Sequence, residues 1–436
     1  MCSWLRKIFG ASGTGTPDHS ADDTAPASTD LSPGGHQEAA DRLASSLQRR
    51  PLLHRGGHLA GFEVSLVAPP ADADGANLQA EALLQGMALT AVNGRVALAT
   101  LSEQDLRLPA VLDQIASGMW FAVADAATPL STQLPWVQDV RSRGGLLGTL
   151  AIPRAGASFV VLDATGIPIS TLMERGRACR AAAPGCQLVA TGLRTIDDLE
   201  VALSGPFDMA AGLFDRVGER RESGTLTPNV VSLCKLLNRA MIEPDTRVLG
   251  RDIRGDIDLT YRLLRHANSP LLGLRRKVDS VEDALQLMGR QALFRLLTVL
   301  LVARSDSRPT AVALHELALT RAHFMEDLAH AIWAPAATLY TTGLLSLLDV
   351  MMQQPMEKVL DSIGLTDESR DALLHRSGPW HELLELARCL ETGQLDQARD
   401  LAEHLGGLKV AQAAMERARQ SAAAMAAELH DVWQDD

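Results

Sequence analysis

Cysteine and histidine are the residue types that usually hold structural zinc, and their spacing in this chain argues against such a site. No two cysteines have C-x-x-C spacing, and no cluster of cysteine and histidine forms along the sequence. Structural zinc needs four such ligands, so we predict no zinc site. The odd number of cysteines favours reduced thiols in the cytoplasm over a disulfide framework. The cysteines are Cys2, Cys179, Cys186, Cys234 and Cys389.

Positive charge is concentrated locally in a chain whose formal net charge is −12. Residues 247–277 hold eight basic residues against three acidic ones. We interpret this stretch as a solvated helix face, and a docking patch for an acidic partner is the alternative. The negative net charge argues against a general nucleic-acid binder, which needs a basic face to displace counterions.

Residues 1–45 are predicted to be a disordered segment and linker. Positions 11 to 36 are mostly Gly, Thr, Ser, Pro, Asp and Ala, which bury too little surface to offset their ordering entropy. The first twelve residues lack the apolar core and cleavage site of a signal peptide. Trp4, Leu5, Ile8 and Phe9 could form one face of a short helix that touches a membrane or a partner, and a frayed terminus is the default interpretation.

Residues 46–222 are predicted to form an α/β domain. Short apolar runs alternate with helical segments such as Asn77–Ala91 and Pro168–Ala183, and Thr195 before an acidic turn indicates another helix start. This alternation predicts a parallel sheet, and about seven such units suggest a TIM-barrel-like (β/α) fold. The predicted strands are Phe62–Val67, Val96–Thr100, Trp120–Ala124, Leu147–Ile152, Phe159–Leu162, Gln187–Ala190 and Met209–Leu213.

Residues 223–407 are predicted to be all-α, because strand-like runs stop and helix start and stop signals recur. The predicted helices are Pro228–Asn238, Asp256–Ala267, Val281–Arg304, Ala311–Ala334, Thr338–Met352, Pro355–Ile363, Asp367–Arg376, Trp380–Thr392 and Leu395–Leu405. Residues 408–436 add one more helix, with apolar residues recurring at alternating spacings of three and four. This stripe fits packing against the chain's own helical domain, and it also fits a homodimer or a partner helix.

The segment from Leu263 to Arg295 closely resembles the core of HDOD domains. Its matching positions are the Asn268-Ser269 pair, the basic turn Arg275-Arg276-Lys277, Ser280, Ala284 and Gly289. Further along, Arg321, Ala322 and Glu326 resemble the Arg-Ala-x-x-x-Glu helix of that family, and residues 343–348 resemble its Gly-Leu-Leu-Ser segment. Several motifs in the family's order identify residues 225 to 405 as HDOD-like. A helix-ending structural role is the simplest interpretation of Asn268.

HDOD domains resemble the HD phosphohydrolases in fold, and those enzymes hold divalent metals with an adjacent His-Asp pair and further His and Asp residues. Such a cluster is needed because the ion must lower the pKa of a bound water. The adjacent pair in this chain, His430-Asp431, lies in the tail and has no companion set. The resemblance therefore implies a helical domain without metal, cofactor or catalytic residues.

The region before the HDOD-like domain resembles the EAL family in the order and spacing of its strands. That family hydrolyses cyclic di-GMP with two divalent metals, which carboxylates and an Asn hold at strand ends. The segment Gly61–Leu66 keeps the signature acid as Glu63, and Phe159–Asp163 keeps one of two aspartates as Asp163. Two carboxylates alone could not clamp two metals and also supply a base. The resemblance therefore implies a degenerate EAL-like domain with vestigial acids.

We therefore expect a non-enzymatic bacterial signalling protein in which a degenerate EAL-like barrel precedes an HDOD domain. It would act through contacts with other signalling proteins, and the first contact candidates are Asn268, Ser269 and residues 275–277. A cyclic di-GMP receptor without hydrolysis is the alternative. A hydrolase with an unrecognised metal site is a second rival.

Overall fold

The computed structural model describes residues 47–66, 73–91, 94–124, 129–213, 228–242, 246–268, 278–303, 309–361 and 363–433. The predictions for residues 1–46 lie outside this part of the chain. The same holds for Ser269, Arg275, Arg276 and Lys277, and for the side chains of His430 and Asp431.

Eight strands close into a barrel in the order in which they occur along the chain. Strands β2 to β8 run parallel to one another, whereas β1 runs antiparallel to its neighbours β2 and β8. All seven predicted strands are present, which confirms the TIM-barrel-like prediction. The strands are β1 Leu47–His54, β2 Leu59–Leu66, β3 Val96–Leu101, β4 Met119–Val123, β5 Leu146–Leu150, β6 Phe159–Asp163, β7 Gln187–Leu193 and β8 Met209–Gly212.

The first strand was not predicted, because its sequence is unlike that of a buried strand. Arg49, Arg50 and Pro51 occupy its middle, and proline cannot donate to a sheet ladder. The strand forms because tertiary contacts cover its apolar residues. Leu52 packs inside the barrel, and Leu53 joins the core outside it.

The barrel interior is filled by side chains. Leu52, Leu98, Trp120, Phe159 and Val161 form one buried cluster, and the rings of Trp120 and Phe159 stack with centroids 5.0 Å apart. The helices on the outside are α1 Ala73–Thr90, α2 Pro109–Leu112, α3 Pro135–Ser142, α4 Ile169–Ala182 and α5 Ile196–Ser204, with a 3₁₀ turn at Asp105–Arg107. Thr195 caps α5 as predicted, since its side chain accepts a hydrogen bond from the backbone N–H of Asp198.

The second half is helical, as predicted. Its helices are α6 Pro228–Ile242, α7 Thr246–Arg254, α8 Ile257–Ala267, α9 Val281–Ala303, α10 Ala311–Leu328, α11 Ala336–Leu345, α12 Leu348–Met352, α13 Met356–Leu360, α14 Asp367–Arg370, α15 Pro379–Thr392, α16 Leu395–Ala402 and α17 Leu408–Trp433. Helix α7 was not predicted. The predicted helix to Ala334 instead ends at Leu328 and continues as a 3₁₀ turn.

Helix α9 is not straight. Gly289 has φ 73° and ψ 172°, and the pieces Val281–Gly289 and Ala292–Leu301 bend by 113°. Glycine suits this position because side chains disfavour that backbone conformation. In the described part of the chain, no single helix is long and apolar enough to cross a membrane, although this bent pair passes the same test by length and composition.

The apolar stripe of α17 packs against the chain's own helical domain. Ala411, Ala414, Met415 and Ala418 are buried in a core that includes residues of α10 and α15. The helix also reaches the barrel, because Glu416 pairs with Arg49 of β1. Homodimerisation through this helix stays a prediction.

Candidate functional site

Glu63 and Asp163 both lie on the inner face near the carboxyl end of the barrel. Side chains alternate along a strand, so Asp163 shares its face with the interior residue Val161. Glu63 is paired in register with Arg50, which shares the face of Leu52. The structure therefore brings the two predicted acids into one barrel mouth and adds an arginine to them.

Arg50 is the residue of this site that the sequence did not reveal. Its Nη1 lies 3.6 Å from Oε2 of Glu63, and both side chains are largely buried. Its Nε is buried and has no hydrogen-bond partner among the described residues. No sequence motif marks Arg50, because it lies on β1, the strand that the sequence pattern did not predict.

Asp163 is held by the turn that follows its strand. Its Oδ1 accepts hydrogen bonds from the backbone N–H of Thr165 at 3.0 Å and from the Thr165 hydroxyl at 2.8 Å. Gly192 on β7 makes room for this turn, because a Cβ there would lie 2.3 Å from the same Oδ1. The φ of Gly192, +72°, also favours glycine. Asp163 is thus committed to a local turn.

The pKa of Glu63 is raised from its ordinary value of 4.5. Burial is the largest cause, since it penalises the charged carboxylate. Arg50 opposes this rise, whereas the charge of Asp163 adds to it. The mouth therefore holds a carboxyl group that protonates more readily than a solvated one.

This raised pKa predicts a pH-dependent contribution to stability. The folded chain binds the Glu63 proton more tightly than the unfolded chain does, so this contribution is complete below pH 4.5. It is lost as the pH rises through the folded-state pKa. We expect the free energy of unfolding of Glu63→Gln, relative to the parent chain, to improve between pH 4.5 and 7.5. Urea titrations at several pH values measure this, and a difference that does not change or moves the opposite way would show that Glu63 stays ionised.

Metal-ligating groups are sparse in the described structure. Within the described residues, no group of three or more His, Cys, Asp or Glu side chains is placed to hold a metal ion. The eight described strands contain two acidic residues, Glu63 and Asp163. Glu63 lies 3.6 Å from a guanidinium, and one oxygen of Asp163 is held by a turn.

Asn268 has a structural role in the HDOD-like half. Its amide donates to the carbonyls of Leu264 and Val278 at 2.8 Å, and its Oδ1 accepts from the backbone N–H of Val278 at 2.8 Å. The side chain therefore fastens the end of α8 to the chain just before α9. Gly289, another of the HDOD-like positions, supplies the bend in α9.

Arg321 and Glu326 both lie on α10 but serve different ion pairs. Arg321 binds Glu391 of α15 through two hydrogen bonds of 2.9 and 2.6 Å, with side chains only 7% and 11% exposed. Glu326 binds Arg295 of α9 at 2.9 and 3.1 Å. The guanidinium of Arg295 lies 3.5 Å from the ring centroid of Tyr340. These contacts tie α15 and α9 to α10, and α11 to α9.

The pKa of Glu326 is lowered despite its partial burial. Burial alone would raise the pKa, but hydrogen bonding from His323 and the charge of Arg295 outweigh that effect. The carboxylate is therefore a stable anion that anchors α9.

The candidate residues lie in separate places: the barrel mouth, the α8–α9 junction and the two ion pairs of α10.

Comparison with known proteins finds one family model and two curated relatives similar to this chain. Residues 225–377 match the model of the HDOD domain. Relatives include YuxH of Bacillus subtilis (strain 168), 26% identical over 229 residues, and the cyclic di-GMP phosphodiesterase CdgJ of Vibrio cholerae serotype O1, 25% identical over 283 residues. These matches cover 51% and 62% of this chain, and 56% and 65% of the relatives. The chain thus spans less than two thirds of either relative.

A solved structure aligns with the barrel region. The EAL domain of Mycobacterium smegmatis DcpA aligns with 38% of this chain and 89% of its own, at 14% identity and a TM-score of 0.30. Residues 225–377 therefore resemble HDOD domains, and the region before them is a closed eight-stranded α/β barrel.

Proposed function

We propose that this chain is a non-enzymatic component of cyclic di-GMP signalling. In this proposal the barrel has lost hydrolysis of the nucleotide, and the HDOD domain acts by contact with other signalling proteins. The similarity to CdgJ, which is named a cyclic di-GMP phosphodiesterase, supports the link to this nucleotide. The observation that carries the loss of hydrolysis is the contact between Arg50 and Glu63.

Arg50 opposes metal binding by its charge. Two-metal hydrolysis requires carboxylates that are free to clamp divalent ions. A divalent ion bound by Glu63 would lie about 5 Å from the guanidinium, where repulsion is roughly 6–7 kcal/mol at an effective dielectric of about 20. Asp163, held by Thr165, is the other strand acid and cannot replace the missing ligands.

The contact role of the HDOD domain is supported by what its signature residues do. Asn268, Gly289, Arg321 and Glu326 bend, fasten or pair helices. Since these residues maintain a scaffold, the domain is suited to presenting a surface. The basic residues Arg275, Arg276 and Lys277 are our first candidates for that surface, together with Ser269.

Affinity capture from the native cell tests the contact role. The full chain carrying Arg275→Ser, Arg276→Ser and Lys277→Ser should lose its specific partners. A chain with Lys358→Ser, Arg399→Ser and Lys409→Ser, which removes the same charge from exposed positions, should retain them. Glu63→Gln with Asp163→Asn should also retain them. Capture that survives the first triple change, or that depends on Glu63, would contradict the proposed contact role.

A cyclic di-GMP receptor without hydrolysis is the second candidate, and Arg50 is the observation that favours it. Its buried Nε lacks a partner within the described residues, and guanidinium groups bind phosphate well. Isothermal titration calorimetry with cyclic di-GMP tests this alternative. Binding that Arg50→Gln abolishes and Arg107→Gln preserves would establish the receptor and displace the purely scaffolding role. If no heat of binding is measured at high protein concentration, the receptor alternative is excluded.

A further inference from the structure

A cavity of about 130 Å³ lies where the barrel meets the helical half. One wall comes from the outer face of the barrel, including Phe62 and Arg95, and the other from α10, α15 and α17. It lies outside the barrel mouth, because Arg49 of its wall alternates with the inward-facing Arg50. Because one wall comes from each half, the cavity exists only while the two halves are packed together.

The polar part of this wall is a network of ion pairs. Arg95 binds Glu316 at 2.8 Å, Glu416 pairs with Arg49 and lies 3.7 Å from Arg419, and Glu391 pairs with Arg321 behind the wall. The network contains four guanidinium groups and three carboxylates, so it has one positive charge in excess. Burial chiefly, and next the charge of Arg49, lower the pKa of Arg419 to about 10.

Two hydrogen-bond donors of the wall are unused. Nε of Arg49 and Nη1 of Arg95 are buried, and neither finds an acceptor among the residues that the structure describes. The side chains are only 11% and 19% exposed. Buried donors without acceptors are costly, so an occupant with acceptor oxygens would be stabilised there.

Much of the remaining wall is apolar, and Thr90, Thr320, Thr392 and Gln420 complete it. Pro51, Leu59, Phe62, Leu213 and Leu317 line its apolar part. An apolar cavity of about 150 Å³ accommodates benzene, so this one holds roughly six heavy atoms. A carboxylate with a short alkyl chain matches the volume, the single excess charge and the mixed walls.

We propose that this cavity binds a short-chain monocarboxylate, whose oxygens accept from Arg49 and Arg95 and whose alkyl chain packs on Phe62 and Leu317. Because both halves form the cavity, the ligand stabilises their docked arrangement. A ligand that binds only the folded, docked chain raises its melting temperature by mass action. The site is separate from the barrel mouth, so it could regulate either function proposed above.

Thermal denaturation of the full chain in a series of carboxylates tests this inference. Acetate, butyrate, hexanoate and octanoate are compared at constant ionic strength, with chloride and inorganic phosphate as controls. Butyrate at tens of millimolar should raise the melting temperature by about 2 °C or more. Acetate and octanoate should have smaller effects, and phosphate none. A flat series, or a shift with phosphate alone, would overturn the proposal.

Substitutions locate the effect. Ala423 lines the cavity and the neighbouring Ala424 is exposed, so Ala423→Leu should abolish the butyrate shift while Ala424→Leu keeps it. Arg95→Lys keeps the charge but loses the planar donor group, and should weaken butyrate binding at least tenfold by calorimetry. If Ala423→Leu fails to fold, the Arg95→Lys measurement decides. Unchanged affinity in Arg95→Lys places the ligand elsewhere and sinks the assignment.

Discussion

Replacing Arg321 with methionine is expected to lower the free energy of unfolding by about 3–5 kcal/mol, the usual cost of removing one partner of a buried ion pair. Arg321 and Glu391 form two parallel hydrogen bonds across α10 and α15, and both side chains are almost fully buried. Methionine fills similar space but leaves the Glu391 carboxylate without its cation. Urea denaturation followed by circular dichroism measures the loss.

Two companion variants make this result specific. Arg399→Met removes an ion pair with Asp396 that is exposed to solvent, and should leave the free energy of unfolding nearly unchanged. Arg321→Met combined with Glu391→Met should recover most of the loss, because no buried charge is then unpaired. A double variant as unstable as the single one would mean that packing around Arg321, rather than the charge of Glu391, sets the effect.

Gly343→Ala is expected to lower the free energy of unfolding by about 2–3 kcal/mol through overpacking. The glycine lies in α11 where this helix crosses α10. A Cβ there would lie 2.7 Å from the backbone carbonyl carbon and oxygen of Arg321, and 2.8 Å from Cα of Ala322. Two helix backbones would have to separate, which would also strain the nearby pair of Arg321 and Glu391.

The same substitution in α7 should have the opposite sign. At Gly250 a Cβ would meet side-chain atoms of Glu282 and Leu285 at 3.4 Å, an ordinary contact distance. Alanine favours helix formation over glycine by up to about 1 kcal/mol, so Gly250→Ala should stabilise the chain. Thermal or urea midpoints of both variants settle the comparison. Equal effects at the two positions would show that α10 and α11 do not approach as closely as the structure has them.

The fold was largely predictable where local patterns determine structure. Seven strands follow from short apolar runs, and most helices follow from their periodicity and end signals. The remaining strand, β1, could not be predicted, because Arg49, Arg50 and Pro51 interrupt its apolar pattern. Only its pairing with β2 and β8 defines it. The bend of α9 was likewise hidden, since a single glycine does not reveal its φ.

The site was less predictable, because its contacts join distant parts of the chain. Glu63 and Asp163 were identified by resemblance to a family, but their partner Arg50 lies on the hidden strand. Arg321 and Glu391 are separated by 70 positions, and Arg49 and Glu416 by 367. No local pattern encodes such pairings, so the cavity between the two halves could be found only in three dimensions.

Single-turnover hydrolysis is the most direct test of the claim that the barrel has lost its chemistry. The full chain is held in large excess over cyclic di-GMP with Mg²⁺ or Mn²⁺, and linear dinucleotide is followed by chromatography over hours. We predict that no product forms above the protein-free background, with the parent chain and Glu63→Gln giving the same trace. Metal-dependent product that disappears in Glu63→Gln would contradict the account, because it would make the barrel mouth a working active site.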